Sequence, residues 1–179
     1  MRRHFGLPWI ILCALGGLAL GGVALGLLQA PASADLAVHN AVGETLAAPT
    51  FVAVSSSSQT RAVTRLDFRA PAHLVLTSSA TTGPKKLVLN GTAATRVLQP
   101  ISALSTVNGF TNQRGLYTAP LVNPALTREG ASAGVALTVK NGYLTSVLEK
   151  ITINSSQGNG TLTGSVRFLR IGNWTLPSG

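Results

Sequence analysis

The sequence predicts an α+β protein: an antiparallel sheet with few helices, placed behind an export segment. Three observations carry this. A basic start at Arg2 and Arg3 leads into an uncharged apolar run, Trp9 to Leu28. From Thr50 onward, apolar residues alternate with polar ones at a period of two, the signature of strands with one buried face. Asn-Gly pairs at 90–91 and 141–142 punctuate that alternation. Asn-Gly is the strongest short hairpin signal, and hairpins make antiparallel sheets. A single sheet has an apolar face to bury, so it must curl around its helices or close upon itself.

The first segment divides the chain in two, 1–34 and 35–179. Its basic start, apolar middle and Ala32-Ser33-Ala34 end form a signal peptide, with cleavage after Ala34. The apolar run is also long enough to span a bilayer as a retained anchor, although Gly16, Gly17, Gly21, Gly22 and Gly26 dilute it. Both readings leave Arg2 and Arg3 in the cytoplasm and export the body to the periplasm, cell envelope or exterior. Cys13 is preceded by Ile10-Ile11-Leu12 and lies within the run, so it makes no lipobox.

Asp35–Ala48 reads as a helix with Asp35 as its N-cap and Pro49 as its stop. Strands are expected over Thr50–Ser57, Arg61–Arg69, His73–Ser79 and Lys85–Asn90. The Asn90-Gly91 pair then predicts a hairpin into a strand over Thr92–Leu98. Pro100–Val107 reads as a short helix, and Asn108–Gly130 as a turn-rich aperiodic loop. Gly134–Lys140 and Tyr143–Asn154 form a second hairpin, Gln157–Gly160 a turn and Thr161–Ile171 the last strand. The alternation turns Leu66, Phe68, Leu74, Leu76, Leu87, Leu89, Leu137, Val139, Val166 and Phe168 inward.

The exported part is about 145 residues, enough for one domain with a full core. Cys13 is the only cysteine, so this part has no disulfide, thiolate metal site or cysteine nucleophile. Without Arg2 and Arg3, 12 Lys and Arg stand against 5 Asp and Glu, a net charge of +7. That charge suits an anionic membrane surface or another acidic envelope polymer. The basic residues are scattered singly rather than grouped with aromatics, which argues against nucleic acid.

Several pieces resemble a known family. Thr50-Phe51-Val52-Ala53 follows a helix in the manner of its first strand. Leu66-Asp67-Phe68-Arg69-Ala70-Pro71-Ala72-His73-Leu74 is similar to its aromatic-x-x-Pro-x-x-Leu strand break, with Leu87-Val88-Leu89-Asn90-Gly91 as its apolar run and turn. Val139-Lys140-Asn141-Gly142-Tyr143-Leu144-Thr145-Ser146-Val147, then Phe168-Leu169-Arg170-Ile171-Gly172 and Pro177, match its closing hairpin and terminal strand. On these the chain resembles the outer-membrane lipoprotein carrier (LolA-like) superfamily, and within it the actinobacterial lipid-binding lipoproteins of the LppX and LprG type. The resemblance implies a strongly curved antiparallel sheet, an unclosed half-barrel, wrapped over one or two helices. It implies that the hollow holds acyl chains, with Phe51 and the ten inward residues above as its lining. The chain departs from that pattern in lacking a lipobox cysteine and in having few aromatics.

No catalytic signature competes with this. His39 and His73 have no metal-ligand spacing. Asp67, His73 and Ser78 lack a nucleophile elbow. Asp35, Glu44, Asp67, Glu129 and Glu149 are too dispersed to read as a glycosidase pair. Asn90-Gly91-Thr92, Asn159-Gly160-Thr161 and Asn173-Trp174-Thr175 fit a glycosylation pattern but read as turns. The expectation is a non-enzymatic envelope protein without cofactor or metal that binds or carries lipid or another apolar ligand. The alternative is a membrane-anchored interaction or sensor domain whose core is filled and takes no ligand.

Overall fold

The computed structural model describes residues 33–59, 62–79, 85–122, 131–155 and 158–172. Except for Ser33 and Ala34, the expected signal or anchor lies outside them, as does Asn173-Trp174-Thr175. No helix among the described residues is long and apolar enough to cross a membrane.

The chain opens with helix α1 (Ser33–Ala47), followed by strands β1 (Thr50–Ser57), β2 (Val63–Arg69), β3 (His73–Ser79) and β4 (Lys85–Asn90). Helix α2 (Thr92–Ser102) continues into a 3-10 turn at Ala103–Thr106. Then come β5 (Thr111–Gln113), β6 (Leu116–Leu121), β7 (Ala131–Lys140), β8 (Tyr143–Ser155) and β9 (Gly158–Gly172). The nine strands form one antiparallel sheet in the order β4-β3-β2-β1-β9-β8-β7-β6-β5. The sheet is curved and unclosed, with β4 and β5 as free edges.

The pairing longest in sequence separation is between β1 and β9. It joins the two runs of hairpins, so the first and last strands sit at the centre. A bulge between Val52 and Ala53 on this ladder leaves Leu169 without a partner, so Phe168 and Ile171 both face inward.

Both helices lie on the inner face. α1 touches β8, β5 and α2, and α2 touches β4. Val38, Ala41 and Val42 of α1 and Ala94, Val97, Leu98 and Ile101 of α2 share one buried cluster with the inward strand residues. Thr45 pins α1 to the sheet: its Oγ1 accepts the Leu144 N–H at 2.9 Å and donates to the Ala41 carbonyl at 2.7 Å.

Three expectations are corrected. Thr92–Leu98 is helix rather than strand. Ala94, Val97, Leu98 and Ile101 recur at helical spacing, and all are buried. Gly91, at φ 55°, turns the chain out of β4 and into α2 rather than closing a two-residue hairpin. The stretch Asn108–Gly130 is not all loop, because it contains β5 and β6. Arg114 and Gly115 both have positive φ, 55° and 86°, the backbone of a tight hairpin turn. Asn112 Oδ1 accepts the Gly115 N–H there at 2.9 Å. Residues 123–130 lie outside the described residues. Finally, Asp35 is not the cap of its own helix, since α1 starts two residues earlier.

Candidate functional site

The helices pack on the inner face of the sheet. All eleven expected lining residues lie in one cluster with them. Phe51, Leu66, Phe68, Leu74, Leu76, Leu137, Val166 and Phe168 are buried, and Leu87, Leu89 and Val139 are partly buried against them. Phe51 is their centre, stacked on Phe68 at 4.7 Å between ring centroids and edge-on to Phe168 at 5.5 Å. Side chains of α1 and α2 fill the same cluster.

The cluster continues further along the strands. Register gives the rows. Ser78, Thr64, Ser55, Val166, Val147 and Leu137 form one row across β3, β2, β1, β9, β8 and β7. The next row is Ser57, Gly164, Glu149, Val135 and Ala119, and beyond it lie Leu162, Ile151, Ala133 and Leu121. Ile151, Leu162, Ala133 and Leu121 are only half-buried. These rows are apolar at β6–β9, with a hydroxyl row at β1–β3 and a single carboxylate.

That carboxylate is unusual. Glu149 is 2% exposed, and neither of its oxygens has a hydrogen-bond partner. Its cross-strand neighbours are Val135 on β7 and Gly164 on β9, so neither offers a polar side chain. Burial pushes its pKa up to about 7, because the charged form loses its water. The residue follows Val147 in the inward series, so alternation alone places it on the apolar face. Its flanking Leu148 and Lys150 are exposed. Sequence reasoning treated it only as one dispersed acid.

The first turn of α1 is tied level with this row. Asp35, 4% exposed, accepts the Phe110 N–H at 2.7 Å and the Gly109 N–H at 3.2 Å. Phe110 leads directly into β5, where Thr111 pairs with Thr118, which pairs with Ala136, opposite Leu148. His39 Nε2 donates to the Val107 carbonyl at 2.8 Å and fixes the same loop. Asp35 and His39 therefore hold the helix against the chain entering the sheet edge. His73 instead pairs with Asn90 across β3 and β4, Nδ1 to Oδ1 at 2.7 Å. Among the described residues no three His, Cys, Asp or Glu side chains gather as metal ligands.

No family model and no curated protein matches this chain. Redesigned β-barrels are among the solved structures it is similar to. One is a redesigned β-barrel, mFAP1, bound to DFHBI, at 15% identity over 72% of this chain and 98% of that one, with a TM-score of 0.23. Another is a second redesigned β-barrel, at 14% identity over 72% and 94%, with a TM-score of 0.23. Likeness at that level fixes neither relationship nor function.

The opposite, outer face of the sheet is basic. Lys86, Arg65 and Arg167 lie in one row with Thr77 and Val54, and Arg170 follows in the next row beside Val52 and Asp67. Arg69 and Lys150 share that face by alternation. Asp67, joined to Arg65 at 2.9 Å, is the one carboxylate on it among the described residues.

Proposed function

We infer that this is an exported, non-enzymatic envelope protein that holds a lipid or other apolar ligand against the inner face of its curved sheet. The supporting observation is the far row of that face, beyond the buried cluster, where Ile151, Leu162, Ala133 and Leu121 are only half-buried. Apolar surface on a concave face gains by being covered, at about 25 cal/mol per Å². An acyl chain adds about 0.8 kcal/mol per buried methylene, so long chains are favoured over short ones. The reading agrees with the resemblance to the LolA-like superfamily, but the ligand position shifts. The expected lining residues pack on the protein's own helices, and the ligand lies further along β7, β8 and β9.

The basic outer face supports a second part of the same reading. It directs the domain to an anionic membrane, which is where an apolar ligand would be collected or delivered. The expected export segment at residues 1–34 supports that location.

The competing reading is a membrane-anchored interaction or sensor domain. It is favoured by the one cluster in which helices and strands already fill each other's gaps. Native mass spectrometry of the full chain decides between them. Co-purified lipid, or uptake of an added long-chain lipid at one per chain, supports the carrier reading. A bare mass with no uptake supports the filled domain.

A further inference from the structure

We propose that Glu149 is the polar anchor of the ligand site, and that its ligand is an uncharged long-chain amphiphile whose hydroxyl donates a hydrogen bond to this carboxyl. The inference rests on the apolar-ligand reading above and deepens it by naming the head group.

A buried polar side chain in a folded protein almost always has a partner. Asp35 shows how this chain meets that rule elsewhere, by accepting two backbone N–H groups. Glu149 is as deeply buried and accepts none. β7 offers it Val135 and β9 offers it Gly164. Gly164, in register with Glu149 on one side and Ser57 of β1 on the other, brings no side chain to the row. The row beyond, Ile151 and Leu162, is half-buried and apolar. The arrangement is therefore a lone acceptor at the margin of an apolar surface. A chain with one polar end fits it.

Charge selects among polar ends. A fatty-acid carboxylate would set a second negative charge beside Glu149, which is 2% exposed. An ammonium head would neutralise it, but both ions would have to be stripped of water, and the attraction in such pairs roughly breaks even with that loss. The titratable groups that other elements bring to this face are committed or distant. Asp35 and His39 of α1 are engaged with the 107–110 loop, and Lys85 sits on the far edge strand. A hydroxyl loses far less on leaving water and supplies the donor that the carboxyl lacks.

The test uses the full chain at pH 8 and native mass spectrometry with three probes: hexadecan-1-ol, methyl hexadecanoate and hexadecanoate. The alcohol carries a donor, the ester does not, and the acid is anionic. The expected order for the wild type is alcohol over ester by about tenfold, the scale of one hydrogen bond to a charged group, with the acid weakest. Glu149→Leu should bind the alcohol and the ester equally. Glu149→Gln, close in size and able both to accept and to donate, should keep the alcohol and admit the ester, and it guards against misfolding of the leucine variant. Equal binding of alcohol and ester by the wild type overturns the anchor while the apolar-ligand reading stands. So does a preference that survives in Glu149→Leu. If none of the three probes binds the wild type, the apolar-ligand reading fails and the anchor with it.

Discussion

Glu149 and Asp35 are two buried carboxyls with opposite surroundings, and they should respond oppositely to change. Burial raises the Glu149 pKa from 4.5 to about 7. The folded state therefore holds this proton more tightly than the unfolded chain does. Its contribution is fully present below pH 4.5 and is lost as pH rises through 7. A shift of that size corresponds to about 3 kcal/mol. Glu149→Gln should abolish this loss, so its stability relative to wild type should rise by about 3 kcal/mol between pH 4.5 and pH 8. Urea unfolding at the two pH values checks it, and parallel curves for the two proteins would contradict it. At Asp35 the carboxylate is satisfied, and removing it strands two N–H groups at Gly109 and Phe110. Asp35→Ala should destabilise by about 2–3 kcal/mol, and Asp35→Asn by less, because the amide oxygen still accepts. Hydrogen exchange at Phe110 should speed up in the alanine variant if that amide is what Asp35 protects.

The strands owe their burial to alternation, and Phe68 tests it. Phe68 faces inward on β2, stacked on Phe51. Phe68→Ala should cost about 3–5 kcal/mol in denaturant unfolding. A cost under about 1 kcal/mol would mean that the aromatic group is not packed as described. The same alternation made most of the sheet readable from sequence: β1, β2, β3, β4, β7, β8 and the core of β9 fall where period two puts them. It failed where two signals overlapped. Asn90-Gly91 looks like a hairpin turn, yet Ala94, Val97, Leu98 and Ile101 carry a helical period just after it. The longer-range pattern prevailed because those four side chains complete the cluster over the sheet. β5 and β6 were missed because β5 is three residues long and wholly exposed, so it carries no apolar alternation. Its only local marker was Arg114-Gly115. Glu149 was legible in principle, one step along the inward series from Val147. Its lack of a partner was not legible, because that depends on Val135 and Gly164 from two other strands.

At the scale of the whole molecule, charge and apolar surface are separated by the sheet. The pleat sends Lys86, Arg65, Arg167 and Arg170 to the outer face, while the inward positions of the same strands, Lys85 at the end of β4 excepted, carry no charge. Residues 33–179 contain every described element, and they are expected to fold without the preceding segment into a β-rich domain by circular dichroism. On that fragment the outer face should make binding to vesicles depend on their charge. Vesicles with about a third anionic lipid should retain it at low salt, and purely zwitterionic vesicles should not, since each basic residue near such a surface contributes about 1 kcal/mol. Binding should fall as salt rises, because the screening length shortens to about 8–10 Å near physiological ionic strength. The double variant Lys86→Glu, Arg167→Glu reverses two charges in one row of the outer face and leaves the inward residues intact. It should weaken vesicle sedimentation by at least tenfold while leaving uptake of hexadecan-1-ol unchanged. Loss of both together would mean that the two faces are not independent, and unchanged sedimentation would remove the outer face from any role at the membrane.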